Sequence, residues 1–396
     1  MGIFVLMKLV LSCSLFVVLT FSYTFMSGAQ QAVQPASLAA GNLSLHLEVQ
    51  HAIGKGRAWL ESQQNAGHYW SQADHPALTA LVLTALTEPS AKAPASPAIE
   101  KGYDYIVSCA QADGGIYVKE VQSYNTSVAL SALALRNRPQ DQSVIQKARQ
   151  YLIGLQVGDA PPDSTNGVFT GGIGYGGTNS SRRPDLSNTT LALEALYESR
   201  SFTQDSSGIK LPDLNWKTAL RFVQNCQNLP AYNSQTWASG DLKNKGGFIY
   251  LPGRSAAGET NLGSGRIAYR SYGSMSYAGL LSYIYADLKP DDPRVTSALD
   301  WLRGNYTVEE NPGMGPQGLF YYYQMMAKAL TFANVDTLET KDGNKANWRE
   351  DLALKLLNLQ KADGSWVNDN GRWWEKDPIL DSADALVALE IIESRL

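Results

Sequence analysis

The sequence predicts an all-α fold, an (α/α)6 toroid of six helix-pair repeats over residues 51–396, preceded by a signal peptide. Three observations predict it. A helix that runs into a Gln and a Gly-rich turn occurs six times, and each copy is followed by a second helix rich in Ala and Leu. Neither end of the array carries the polar capping repeat that an open array of helix pairs requires.

The first halves are "KGRAWLESQQNAGHYW" (55–70), "KGYDYIVSCAQADGGIY" (101–117), "KARQYLIGLQ" (147–156), "ALRFVQNCQ" (219–227), "ALDWLRGNY" (298–306) and "ALKLLNLQKADGSW" (353–366). They align without gaps. One column holds Trp59, Tyr105, Tyr151, Phe222 and Trp301, with Lys355 as the exception; the next is aliphatic in all six. The Gln column holds Gln64, Gln156, Gln227 and Gln360, with Ala110 and Tyr306 elsewhere.

The second halves are "LTALVLTAL" (78–86), "SVALSALAL" (127–135), "TTLALEAL" (189–196), "SYAGLLSYIY" (276–285), "YYYQMMAKAL" (321–330) and "DALVALEII" (384–392). Their apolar residues recur at three- and four-residue spacing, the helical period. Small residues among the Leu permit close helix approach, as an inner ring requires, while the more charged first halves suit an outer ring. An open solenoid is the alternative architecture. The insertions 157–188 and 228–270 are rich in Gly, Ser and Asn and read as loops grouped on one face.

Residues 1–29 read as a secretory leader. Lys8 is followed by an apolar stretch to about Phe25 that closes on Ser27-Gly28-Ala29, a spacing a signal peptidase accepts. An uncleaved anchor helix is the competing reading, since the stretch is nearly long enough to span a bilayer. Residues 30–50 read as a linker, and the toroid follows. The chain is expected outside the cytoplasm, secreted or in the periplasm or cell envelope, with no transmembrane span after cleavage. Its 33 Lys and Arg include Lys8, so 32 stand against 37 acidic residues in the mature chain, a charge of −5. With no block of basic residues, nucleic acid is excluded as a partner.

The pattern helix–Gln–x–x–Asp-Gly-x-Trp, most complete as "LQKADGSW" (359–366), resembles the QW repeat of squalene cyclases and protein prenyltransferase β subunits. The stretches "GGIGYGG", "YRSYGSMSYAGL" and "NPGMGPQGLFYYY" are similar to secreted bacterial squalene-cyclase-like repeat proteins of unassigned activity. The resemblance implies the toroid; each chemistry it implies has to be tested on the residues.

A prenyltransferase-like zinc needs three converging ligands. His46 and His51 precede the repeats, His68 and His75 sit in the first turn, and Cys109 and Cys226 share a repeat column with Leu155 and Leu359. No metal set and no cofactor is implied. The cyclase-like acid motif is Asp-x-Asp-Asp, in which clustered, buried carboxylates force one of them to keep its proton. An isolated Asp is protonated only about 0.1 % of the time at pH 7. The nearest match is Asp381-Ser382-Ala383-Asp384, where Ala383 stands in place of an acid. Three roles are open to Asp381 and Asp384: capping the last inner helix, lining a cavity, or donating a proton.

"GGIGYGG" (171–177) with Arg182 and Arg183 lacks the Lys-Ser/Thr of a phosphate loop and reads as a turn. Tyr272, Tyr277, Phe320, Tyr321, Tyr322, Tyr323, Trp373 and Trp374 gather at the starts of the last three inner helices. There they either pack the core or offer π faces to an apolar ligand or a cation. Asp185, Asn188, Arg270 and Glu310 are candidates to orient its polar end.

Three functions are compatible with this pattern. The first is binding of an isoprenoid, lipid or other apolar ligand in the central cavity, with or without cyclase-like chemistry. The second is a non-catalytic scaffold that holds a protein partner through loops 157–188 and 228–270. The third is glycan chemistry by carboxylates across an (α/α)6 cavity.

Overall fold

The structure, a computed structural model, describes residues 40–87, 96–158, 167–176, 183–204 and 207–396. The expected leader lies outside these residues. The expected linker does so only in part, because the first helix already begins at Ala40.

Twelve α-helices occur among the described residues: α1 Ala40–Ser62, α2 Pro76–Leu86, α3 Pro97–Ser108, α4 Gln122–Arg136, α5 Gln142–Gly154, α6 Leu186–Glu198, α7 Trp216–Asn225, α8 Gly273–Tyr285, α9 Pro293–Gly304, α10 Leu319–Phe332, α11 Trp348–Leu359 and α12 Pro378–Glu393. Several start as their sequences dictate. Pro76, Pro97, Pro293 and Pro378 occupy the first turn, where a missing N–H costs nothing. Side chains of Ser96, Asp185, Asn215, Asp292, Asn347 and Asp377 cap the free N–H groups.

Odd- and even-numbered helices differ as the sequence predicts. Helix α9 buries only a stripe, Val295, Ala298, Leu299, Trp301 and Leu302. Helix α8 buries every residue except Ile284. The even helices pack in cyclic order, α2 on α4, α4 on α6, and onward through α8, α10 and α12, and α12 packs back on α2.

The repeat columns have direct physical roles. The amide of each turn Gln donates both to its own turn and to the next odd-numbered helix. Gln64 Nε2 reaches Ala98 O (2.8 Å), Gln156 reaches Asn215 O (3.0 Å), Gln227 reaches Arg294 O (2.9 Å) and Gln360 reaches Ala52 O of α1 (2.9 Å). Where the fifth copy has Tyr306, its phenol donates to Asp351 on α11 (2.7 Å). The turn Gly lies against the same helix. Gly364, at φ +99°, brings its α-carbon so near α1 that a Cβ would sit 2.7 Å from Lys55 O.

A hydroxyl on each inner helix then accepts the backbone N–H of the residue that ends the turn. The pairs are Thr79 with Trp70, Thr126 with Ile116, Thr189 with Ile173, Ser276 with Phe248 and Ser382 with Trp366, all 2.9–3.0 Å. In α10 the phenols of Tyr322 and Tyr323 reverse the polarity and donate to Thr307 O and Val308 O.

Two short antiparallel hairpins were not foreseen by an all-helical reading. Strands β1 (Glu259–Gly263) and β2 (Arg266–Tyr269) lie within the 228–270 insertion, joined through Ser264 and Gly265, both at positive φ as a tight hairpin turn requires. That insertion has its own small core of Trp237, Ala238 and Ile249. Strands β3 (Leu338–Glu339) and β4 (Lys345–Ala346) form the second hairpin. Among the described residues no helix is long and apolar enough to cross a membrane.

The Gln joint predicts a stability effect larger than one side chain's burial. Gln360→Ala removes two hydrogen bonds, one to Ala52 O and one to Gly364 O, an expected loss of about 2 kcal/mol in urea unfolding. The exposed control Glu339→Ala should stay within about 0.5 kcal/mol. Equal midpoints for the two variants would show that the joint carries no special stability.

Candidate functional site

The first four N–H groups of a helix need acceptors, and here α2, α4, α6, α8 and α10 each receive at least one from the repeat that follows. Asn125 Oδ1 accepts from Ala77 N at the start of α2, Tyr175 O from Ser123 N in α4, Tyr250 O from Leu186 N in α6, and Asn311 Oδ1 from Ser274 N in α8. At α10 the acceptor is a carboxylate. Glu375 accepts from Leu319 N (2.7 Å), Phe320 N (2.9 Å) and Tyr321 N (3.0 Å), and from Asn368 Nδ2 (2.6 Å).

Glu375 sets the character of its neighbours Asp381 and Asp384. Neither is the helix cap: Asp377 caps α12 through Ile379 N and is itself hydrogen-bonded by Ser71 Oγ. The Asp377-Pro378 pair starts the helix ahead of Asp381, which therefore lies inside its first turn. Asp381 is fully buried; Oδ2 accepts from Asn368 N at 2.6 Å and Oδ1 has no partner. Burial first, and then the charge of Glu375, pushes its carboxyl up to about 10. Burial and Glu375 likewise raise Asp384 well above the carboxylate range, partly opposed by Lys328, and Asp384 Oδ1 accepts from Gln324 Nε2 at 2.9 Å. Burial also raises Glu375, but its four donors oppose the shift. Hydrogen-bond donors to a carboxylate favour its charged form. A third carboxyl, from outside the Asp381–Asp384 stretch, thus raises both of these acids.

Asp185 and Asn188 come together at the start of α6, where Asp185 accepts from Asn188 N (2.9 Å) and Nδ2 (2.8 Å). Burial pushes Asp185 up to about 6, opposed by Asn188 and by Tyr250. Tyr272, the residue preceding α8, is buried with Tyr321 and Asp185 in its field. Tyr321 in turn feels Asp384 and Tyr124, and Tyr250 and Tyr175 lie with their hydroxyls 3.4 Å apart. Tyr124, Tyr175, Tyr250 and Tyr321 are each partly exposed, so they form a rim at the end where the inner helices begin.

The remaining candidates lie elsewhere. The Tyr322 phenol is taken by Thr307 O and its ring packs on Tyr277 at 5.6 Å. Arg270 and Glu310 are exposed. Trp373 is 47 % exposed with the Arg372 guanidinium 4.5 Å from its ring centre. In the Gly-rich stretch, Gly171 and Gly172 are buried and Tyr175 O serves as an acceptor for α4; Gly177 and Arg182 lie outside the described residues. Cys109 and Cys226 are buried free thiols.

Polar groups reach into the space between the even-numbered helices. A cavity of about 70 Å³ runs between α2, α4, α6 and α10, and Glu194, Glu198, Gln324 and Lys328 contribute to its wall. Lys328 Nζ donates to Glu194 Oε1 at 2.7 Å. Burial, and then Glu194, pushes Glu198 up to about 8. Sequence reading missed these residues, although a Glu inside "TTLALEAL" and a Lys inside "MMAKAL" are charges in otherwise apolar inner helices. It also missed Glu375, Tyr124, Tyr175 and Tyr250, which sit in turns or on a helix start with no periodic signal. Among the described residues no group of three or more His, Cys, Asp or Glu is placed to hold a metal ion.

No family model and no curated protein matches the chain. Solved structures do. The type II terpene cyclase MstE from Scytonema, in complex with geranylgeranyl dihydroxybenzoate, aligns with TM-score 0.53 at 13 % identity over 89 % of this chain and 100 % of that one. The GH76 α-mannanase of Bacteroides thetaiotaomicron aligns with TM-score 0.52 at 11 % identity over 88 % and 98 %. At such identities the likeness concerns the fold alone: a terpene-cyclase-like helical fold that an unrelated chemistry also uses.

The acid cluster predicts an unusual pH dependence. Asp381 is protonated in the folded chain up to about pH 10 but ionises near 3.8 when unfolded. Its contribution to stability is therefore complete below pH 4 and is lost as pH rises toward 10. Asp381→Asn removes that titration, so its stability relative to the parent chain should improve steadily between pH 5 and pH 9 in urea titrations. A difference that stays flat with pH would mean that Asp381 is ionised in the fold. Glu375→Gln should cost about 1–2 kcal/mol at pH 7, because a neutral amide replaces the anion at the start of α10.

Proposed function

We propose that this chain is an exported (α/α)6 toroid of six helix pairs that uses the buried carboxyl of Asp381 as an acid toward an isoprenoid or similarly apolar ligand held at the tyrosine rim. The observation that carries the reading is Asp381 itself: fully buried, with Oδ1 uncommitted and its carboxyl raised by burial and by Glu375. The cyclic packing of the even helices supports the toroid, and the pattern of residues 1–29 supports export.

The step is a proton transfer. The Asp381 proton passes to one carbon of an alkene, whose π pair forms the new C–H bond. The positive charge left on the neighbouring carbon faces the rings of the tyrosine rim. Loss of a C–H proton at the end of the cascade balances the reaction as an isomerisation. The rim is preferred to the ring centre as the binding place, because about 70 Å³ is far below the roughly 300–1,000 Å³ of ordinary small-molecule sites. Entry requires the side chains over Asp381 to part, since it is fully covered.

The test is incubation of the mature chain with geranylgeraniol, squalene and a geranylgeranylated phenol, followed by mass spectrometry and NMR. An isomeric cyclised product is expected, and Asp381→Asn should reduce its rate by at least about 100-fold. Folded protein that neither converts nor retains any of these polyenes would sink the reading. Export is checked separately: the protein recovered outside the cytoplasm should begin after Ala29, and a retained leader peptide would indicate an anchored chain.

A further inference from the structure

The acid reading leaves the central cavity unused, yet buried hydrogen-bonding groups go unmatched there. Glu194 is 4 % exposed and gives Oε1 to Lys328, while its Oε2 has no partner. Ser127 Oγ, on a residue 1 % exposed, also has none. Both residues line the cavity, as do Glu198, Ser131 and Thr84. Gln324 and Lys328 also contribute, and the aliphatic part of the wall is Leu81, Val128, Ala134, Leu135 and Leu191. The space holds about five water molecules.

The lining decides what fits. The charge of Glu194 is balanced by Lys328, and Glu198 beside them holds its proton at neutral pH. An ion therefore gains little from the wall and loses its hydration. An apolar ligand would leave Glu194 Oε2 and Ser127 Oγ unmatched. Hydroxyl groups both donate and accept, and a polyol also has C–H faces suited to the aliphatic wall. We propose that the central cavity is a binding site for a small neutral polyol, of the class of glycerol or a short sugar alcohol, with hydroxyls on Glu194 and Ser127 and carbon atoms against Leu81, Val128 and Leu191. The site does not involve Asp381, so its failure leaves the acid reading untouched.

Saturation-transfer NMR on the full mature chain tests it, with glycerol and erythritol as probes and methylammonium chloride as the ionic comparison. The expected result is saturable transfer to the C–H protons of at least one polyol, with affinity lowered about 3- to 10-fold in Ser127→Ala and abolished in Ser127→Leu, which fills the space. If Ser127→Leu does not fold by circular dichroism, the Ser127→Ala shift decides. Absence of transfer to both polyols in folded parent protein means that water alone fills the cavity and overturns the proposal. Transfer unchanged in the folded variants, or binding of methylammonium in preference to the polyols, overturns it as well.

Discussion

A glutamine amide and a glycine turn, docked on the backbone of the next outer helix, join one repeat to the next, and the rest of the structure depends on that joint. The amide has to donate to two carbonyls, as at Gln227 with Gly246 O and Arg294 O, and a Glu in its place would offer only acceptors. The turn needs positive φ and an absent Cβ: at Gly246 a Cβ would stand 2.0 Å from Ser297 O. Gln360 and Gly364 make the same joint, but with α1. Closure therefore uses the interaction that spaces the repeats, and α1 and α12 add Arg57 to Glu390 (2.8 Å) and Gln50 to Glu393 (3.0 Å). The toroid proposed above would on this account need no polar capping repeat.

The joint has an electrostatic consequence. Docking each turn against its predecessor brings that turn's polar groups to the free N–H groups of the preceding inner helix. Carbonyl or amide oxygens suffice at α2, α4, α6 and α8. At α10 the acceptor is Glu375, and an anion at a helix start is stabilised by the same N–H groups and by the helix dipole. Burial and the charge of Glu375 together raise Asp381 and Asp384 beside it. The acid thus follows from how a repeat is capped.

The fold was legible because it is periodic. The aromatic, aliphatic and Gln columns each report a contact made again and again, and Leu60 or Trp59 reads the same in isolation as in the ring. The hairpin of β1 and β2 was not legible, since it occurs once and its Ser264-Gly265 turn lies in a stretch rich in Gly throughout. For the site, position was legible and chemistry was not. Asp381 and Asp384 stood out by spacing, but their protonation depends on Glu375, which the sequence places in a loop beside "RWW" with no feature of its own. The Asp-Pro start of α12 was a readable signal: Asp377 ahead of Pro378 is a cap followed by a first-turn proline, which removes Asp381 from that role.

In the proposed reaction, the choice between Asp381 and Asp384 as donor turns on the groups around each carboxyl. Lys328 and Glu194 form a buried pair between α10 and α6, inner helices that are not adjacent in the cycle. Such a pair adds little net stability over apolar packing, but it fixes a cation near the middle of the ring. Its field reaches Asp384 and opposes the rise in that carboxyl, whereas burial and then Glu375, Asp384 and Asp377 raise Asp381. Asp384 has also given Oδ1 to Gln324. Asp381 keeps Oδ1 free, the atom that the proposed reaction would use. The polar centre and the buried carboxyls are electrostatically linked, because the Lys328 ammonium partly opposes the rise in Asp384.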